Sequence, residues 1–289
     1  MQGMDRKRVI LRIAMNGGLS MEDLLKETGH RPYPLPDAPW LMTQTWENLL
    51  FLHWPVDAEL VRQHVPAELE LDTWDGSAWI SISPFQVKHQ RFRLLPEIPM
   101  LNEYLELNAR TYVKRNGKQG IWFFSLDANL APAVFAANGL LGLPYKHAEM
   151  KFEEVEPDEP GASANMENKN MSRERIPIFA KRKKGFRFTN ERINAEDGFG
   201  RFDITFRPVS GASLTRPGTL EHWLVERYCL FTVRDGKVLR GDIHHLPWDV
   251  SDGEAVVSIN SMSPVALSGE PRLQYCESKK VLMFPFVED

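Results

Sequence analysis

The sequence predicts a mainly β protein built on antiparallel sheet, with a few short helices at its periphery. Three observations carry this. Two-residue turns of the Asp-Gly or Asn-Gly type recur at Asp75-Gly76, Asn116-Gly117 and Asp235-Gly236, each between segments rich in aromatic and branched residues. Those pairs tolerate the positive φ angles that a tight hairpin demands. The segments with helical grammar are all short and quickly terminated. No unit repeats itself at a period of roughly 20 to 50 residues, which excludes a propeller or solenoid.

Residues 1–28 read as an N-terminal appendage, with Met21 as an alternative start, and residues 29–289 as one domain. Residues 30–39 carry four prolines in ten positions, which holds the backbone extended as a strap over something else. Residues 57–66 begin with a capping Asp57, place Glu59 in the first turn and end at Pro66, the pattern of a short helix. Residues 68–74 and 77–85 predict a first hairpin, 105–115 and 118–127 a second, and 227–234 and 237–245 a third. Residues 130–141 are alanine-rich with Pro132 in the first turn, so a helix is expected that ends at Gly139 or Gly142. Residues 219–226 predict another. Residues 156–175 lose their large apolar side chains and read as a solvated connection or exposed hairpin.

With 289 residues, 43% of them hydrophobic and 26% charged, the chain can bury a sizeable core and is neither collagen-like nor disordered. A net charge of −4 supplies no global field toward nucleic acid or an anionic membrane. Small molecules, or further copies of the chain in a homo-oligomer, are the expected partners. Cys229 and Cys276 lack the spacing of a zinc site or disulfide scaffold, so a reduced, cytoplasmic setting is expected. The apolar stretch at residues 9–14 is interrupted by Arg12 and too short for an anchor. The basic, aromatic-interleaved stretch at residues 181–188 has the composition of a single-strand nucleic-acid contact, but a strand with a solvated cationic face explains it as well.

A strand, a short helix and a Gly-Leu-Pro corner deliver Tyr145, Lys146 and His147 in succession: a phenol, an amine and an imidazole whose pKa values an environment can move. A desolvated Lys146 would be able to form a Schiff base; a solvated loop lysine would not. Tyr104, Glu106, Asn108 and Arg110 alternate along one face of a strand. Inside a barrel this row is an acid–base site, and on an outer face it is an ordinary cross-strand ion pair. The partner segment Ile121-Trp122-Phe123-Phe124 is apolar on both faces, which favours the inside. His244 and His245 should point to opposite faces, and neither His222 with Glu226 nor His147 with Glu149 has a metalloprotease or deaminase spacing. No metal or cofactor is therefore expected. A nucleophile elbow and a phosphate-cradling glycine loop are both absent.

Several stretches resemble the YqjF-like family of conserved uncharacterised proteins: residues 30–36, Trp46 with residues 52–56, residues 108–113, 123–127, 143–145, 226–229 and 243–245. The resemblance spans roughly residues 29–286. That family is similar to the acetoacetate decarboxylase superfamily, which implies a mostly antiparallel, cone-shaped β-barrel with small helices around a central cavity. Tyr104-Leu-Glu106 resembles the decarboxylase pattern Tyr-x-Glu, and Gly-Leu-Pro-Tyr145-Lys146-His147-Ala148 stands beside its Gly-Phe-Pro-Lys-Lys-Leu-Ala. In those enzymes the first lysine forms the Schiff base and the second lowers its pKa. Here Tyr145 stands at the Schiff-base position and Lys146 matches only the helper. In an extended segment a one-residue offset turns a side chain to the other face.

The resemblance thus implies a small-molecule site inside the barrel, lined by Glu106, Arg110, Trp122, Phe124, Tyr145 and His147, for an organic acid or carbonyl compound. Glu106 as base and Tyr145 as acid would serve lyase, isomerase or hydratase chemistry without a Schiff base. Two alternatives stand beside it: a non-catalytic ligand-binding or self-associating protein, and a decarboxylase using Lys146.

Overall fold

The computed structural model describes residues 20–156, 184–195 and 199–289. In chain order its elements are α1 (Met21–Lys26), β1 (Met42–Val56), α2 (Ala58–Arg62), β2 (Glu70–Leu71), β3 (Ala78–Phe92), β4 (Tyr104–Arg115), β5 (Lys118–Ala128), α3 (Ala131–Leu141), β6 (Tyr145–Val155), β7 (Gly185–Arg192) and β8 (Arg201–Pro208). There follow β9 (Ser213–Leu214), α4 (Leu220–Val225), β10 (Cys229–Arg234), β11 (Lys237–His244), β12 (Asp249–Val250), β13 (Gly253–Asn260) and β14 (Arg272–Glu288). Hydrogen bonding runs β5-β10-β11-β14-β1-β3-β4 and returns to β5, closing a seven-stranded barrel.

All three turns form as their chemistry demands: Asp75, Gly76, Asn116, Gly117, Asp235 and Gly236 have φ between 47° and 79°. The second and third are the turns of the β4–β5 and β10–β11 hairpins. At the first, only Trp74 and Ser77 bridge, and β2 pairs with β4 instead of β3. The reason is that β3 already has β1 and β4 on its two edges. A second correction concerns direction, because β5 lies parallel to both β10 and β6 and the barrel is mixed where antiparallel sheet was expected. A parallel neighbour needs a crossover, and α3 supplies the one from β5 to β6. Of its two candidate terminators, Gly142 is used, in the left-handed conformation at φ 64°.

Beyond β5 the sheet continues through β6, β7, β8 and β13. This wing lays Phe186, Phe188, Phe202, Ile204 and Phe206 in one apolar cluster with Leu50, Leu52, Ile82, Leu107 and Ala109 of the barrel strands. The opposite, inner face carries Phe51, His53, Ser81, Ser83, Phe85, the row Tyr104 to Tyr112 and Gln274. Ser81 stands opposite both Arg110 and His53, and Phe51 stands opposite Gln274. Contacts on this face skip a strand, as they do across a concave surface. The Tyr112 hydroxyl lies 3.0 Å from His53 Nδ1, and Gln44 donates to the Tyr104 hydroxyl at 2.9 Å, both across β3.

The proline strap is fastened by His30, whose Nε2 lies 2.8 Å from the His245 carbonyl, and by Arg31, which donates to the Ile243 carbonyl at 2.7 Å. Ahead of it, α1 packs Leu24 with Trp40, Leu282 and Phe284. Residues 1–19, almost all of the predicted connection at 156–175 and Lys181 to Lys183 lie outside the described residues. The rest of the basic stretch enters β7, where Arg187 pairs with Asp203 at 2.8 Å. Among the described residues no helix is long and apolar enough to cross a membrane.

Candidate functional site

The β4 row faces inward. Tyr104, Glu106, Asn108 and Arg110 are all less than a tenth exposed, a burial that an acid and a base do not accept without function or compensation. Glu106 finds part of its compensation in Tyr145, whose hydroxyl donates to Glu106 Oε2 at 3.1 Å. The backbone of Tyr145 is clamped by Asn138, which accepts from its N–H at 2.8 Å and donates to its carbonyl at 3.0 Å. Leu126 N–H donates to the Pro144 carbonyl at 3.1 Å, so the Gly-Leu-Pro corner is stitched to β5. Sequence reasoning missed Asn138, although an Asn seven residues before an inward tyrosine, near a helix C-terminus, is the kind of residue that makes such a clamp.

Burial raises the Glu106 carboxyl to about 7, with the hydrogen bonds from Tyr145 and Asn108 pulling the other way. The residues opposite it on the two neighbouring strands, Phe85 and Ala128, offer no charge. Burial, and then the nearby Glu106 and Tyr104, push the Tyr145 phenol well above its ordinary value. Tyr145 therefore keeps its proton and is a donor, while Glu106 sits where it can take or give one near neutrality. Tyr104 is held apart from the pair by Gln44 and by its own donation to Gln90 at 3.0 Å.

The other predicted residues divide. Lys146 is exposed, one residue on from Tyr145 along β6. His147 is half-buried and shares the side of Tyr145 by strand alternation. Trp122 and Phe124 pack against the outer cluster, and Phe124 meets the His64 ring edge-on at 6.4 Å. Phe123 and Leu126 form, with Leu143, a cluster against which Tyr145 packs, as do Leu230 and Phe286. A bulge causes the exchange: Ser125 pairs with Ala109 but Phe123 with Arg110, so the strand switches face between them.

Further along the inner face, the Arg110 guanidinium lies 5.1 Å from the Phe51 ring centroid. Trp248 meets Phe51 edge-on, and Trp223 packs on Tyr112 at 4.7 Å. The side chains weighed as possible metal donors are engaged elsewhere. His222 Nδ1 lies 3.1 Å from the Thr215 hydroxyl, Glu226 accepts from Trp248 N–H and the Tyr228 hydroxyl, and His244 Nε2 lies 2.8 Å from the Leu24 carbonyl. Among the described residues no group of three or more His, Cys, Asp or Glu is placed to hold a metal ion. A cleft of about 680 Å³ between Trp54, Pro264 and Leu273 contains none of the predicted residues. Another of about 460 Å³ reaches Leu224, Val250 and Gln274.

A seven-stranded mixed barrel with an inward Tyr-x-Glu acid and a proline corner beside it has the acetoacetate decarboxylase-like fold. The structure is similar to an acetoacetate decarboxylase-like enzyme from Sphingomonas wittichii RW1, with a TM-score of 0.54 over 90% of this chain and 97% of that one at 15% identity. It is similar to the acetoacetate decarboxylase of Legionella pneumophila (TM-score 0.52, 94% and 97% covered, 13% identity) and to the enduracididine biosynthesis enzyme MppR complexed with pyruvate (0.54, 91% and 94%, 11%). Within that fold, the chain belongs to the DUF2071 family of uncharacterized conserved proteins, whose model matches residues 43–279. It is 38% identical over 255 residues, 87% of this chain and 93% of the other, to the uncharacterized protein YqjF of Bacillus subtilis strain 168.

Proposed function

We propose that the barrel interior binds a small organic acid or carbonyl compound, and that Glu106 and Tyr145 move protons on it without a Schiff base. The observation that carries this is the partly buried hydrogen bond from Tyr145 to Glu106. As a carboxylate, Glu106 removes a proton from carbon next to a carbonyl; the neutral Tyr145 phenol donates to the oxygen on which charge develops. This is the half-reaction shared by isomerases, hydratases and carbon–carbon lyases. The pyruvate held by MppR, in a barrel of the same fold, is a ligand of the same chemical kind. Lys146 is exposed, which speaks against Schiff-base decarboxylation.

Exchange of solvent deuterium into the carbon next to the ketone of pyruvate, 2-oxobutyrate and acetoacetate, followed by NMR, tests the reading without knowledge of the full reaction. The wild type should accelerate exchange into at least one. Glu106→Gln should abolish it, and Tyr145→Phe should slow it by about a hundredfold with binding kept. Exchange that survives Glu106→Gln would overturn the proposal. The competing reading, a binder without turnover, is favoured by the aromatic packing of Trp46, Phe51, Phe85 and Trp248 along the same face. Binding without any exchange would select it.

A further inference from the structure

We infer that Arg110 is the anchor for a singly charged carboxylate, taken on the Nε–Nη2 edge of its guanidinium. This deepens the proposal above and rests on its reading of the barrel interior as a ligand site.

Arg110 is 7% exposed, yet its Nε and Nη2 meet no acceptor. The protein's own use of that edge shows what it accepts. Arg192 gives Nε and Nη2 to the two carboxylate oxygens of Asp127, at 3.0 and 2.7 Å, and Arg187 does the same to Asp203, at 3.2 and 2.8 Å. Two parallel N–H donors 2 to 3 Å apart match a planar carboxylate, which is why this pairing recurs. The neighbouring buried cations are already matched: Arg227 donates to Asp72 at 2.7 Å, and Lys279 pairs with Asp249. Arg110 has no described carboxylate within ion-pair distance.

Glu106 does not fill that role. It shares the face of Arg110, but its carboxyl is bonded to Tyr145 and Asn108 and is raised to about 7, whereas an arginine counter-ion would hold it below the ordinary carboxylate range. A buried, unpaired charge is strongly destabilising unless something compensates it. A ligand carboxylate would.

The surroundings are made for a polar guest. Asn108 Oδ1 and the indole N–H groups of Trp79 and Trp248 are also buried without partners, all on or against this face. They include donors and acceptors, which suits a carboxylate carried on a hydroxylated or oxo-substituted chain. Opposite Arg110 and Asn108 stand Ser81 and Ser83, small side chains with hydroxyls of their own to offer a guest.

Charge count sets the selectivity. One unmatched positive charge balances one negative charge; a dicarboxylate or phosphate dianion would bring a second into low dielectric beside Glu106. The ligand is thus a monocarboxylate whose acid group lies at Arg110 and whose reacting end lies toward Glu106 and Tyr145, with Asn108 between them.

The test is titration of the full chain with sodium propionate, lactate and pyruvate, against propionamide, lactamide, succinate and phosphate, by thermal shift and calorimetry. The monocarboxylates should bind saturably, with the amides, succinate and phosphate at least about tenfold weaker. Arg110→Met should weaken propionate about tenfold or more while leaving the melting temperature unchanged or higher, since it removes an uncompensated buried charge. Should that variant fail to fold, Arg110→Lys keeps the charge and loses the fork, and must also bind propionate more weakly. Absence of monocarboxylate binding, equal binding of the amides, or full binding by the folded variant overturns the inference. Propionate has no carbonyl for Tyr145, so Tyr145→Phe should bind it normally. Deuterium exchange absent with propionate binding intact would sink the acid–base reading alone.

Discussion

Tyr145 and Lys146 are neighbours with opposite surroundings, and one peptide of register decides which of them meets Glu106. That much could be read from sequence, because Pro144 and the strand alternation fix the parity at the corner. The pairing of Tyr145 with Glu106 follows from matching two short motifs. The aromatic lining could not be read, since Trp122, Phe123 and Phe124 are all apolar and a run without alternation hides a bulge. Phe123, not Phe124, consequently belongs to the cluster on which Tyr145 packs. At this scale two outcomes are expected. Tyr145→Phe removes a hydrogen bond that lowers the Glu106 carboxyl, so the Glu106 titration, read by carbon NMR of labelled glutamate, should move above its value of about 7. Lys146 is exposed, so Lys146→Met should leave stability within about 0.5 kcal/mol, and borohydride treatment with oxo acids should leave no adduct on Lys146.

Elements carried by local chemistry were legible, and elements that depend on distant partners were not. The Asp-Gly and Asn-Gly turns, the Asp57 and Thr219 caps and the Gly142 terminator all act within a few residues. The parallel junction of β5 with β10 rests on Leu230 opposite Ile121 and Phe231 opposite Trp122, and nothing local announces it. Gly120 is what permits that closure. A Cβ there would stand 2.7 Å from the Phe231 ring, 2.8 Å from Cys229 Sγ and 2.9 Å from the Cys229 carbonyl oxygen. The carbonyl belongs to the backbone of β10 and cannot step aside as a side-chain tip would. Gly120→Ala should therefore cost about 1–3 kcal/mol by forcing the strands apart, measured as a lower urea midpoint at unchanged slope. A cost below 0.5 kcal/mol, on the scale of ordinary surface changes, would show that the junction yields without resistance.

Across the whole molecule, burying a polar interior sets how stability depends on pH. His53 is held well below its ordinary value, His245 at about 3 and His244 at about 4, all first by burial, and His30 is lowered for the same reason. Below pH 6.5 the unfolded chain binds protons on these rings that the fold refuses, so each withdraws stability as pH falls from 6.5 toward its folded value. Glu106 acts in the opposite sense. Raised from 4.5 to about 7, it holds a proton in the fold that the unfolded chain releases, so its contribution is present below 4.5 and lost as pH rises through 7. Four histidines against one glutamate decide the sum. The melting temperature should climb from pH 4 to 6.5 and flatten above 7. Glu106→Gln separates the terms: relative to wild type it should gain on the order of 3 kcal/mol between pH 4 and pH 8, since the variant has no carboxyl to ionise in the barrel. If the difference between the two proteins stays constant across that range, Glu106 ionises in the fold as it does in water, and the barrel does not tune it for proton transfer near neutrality.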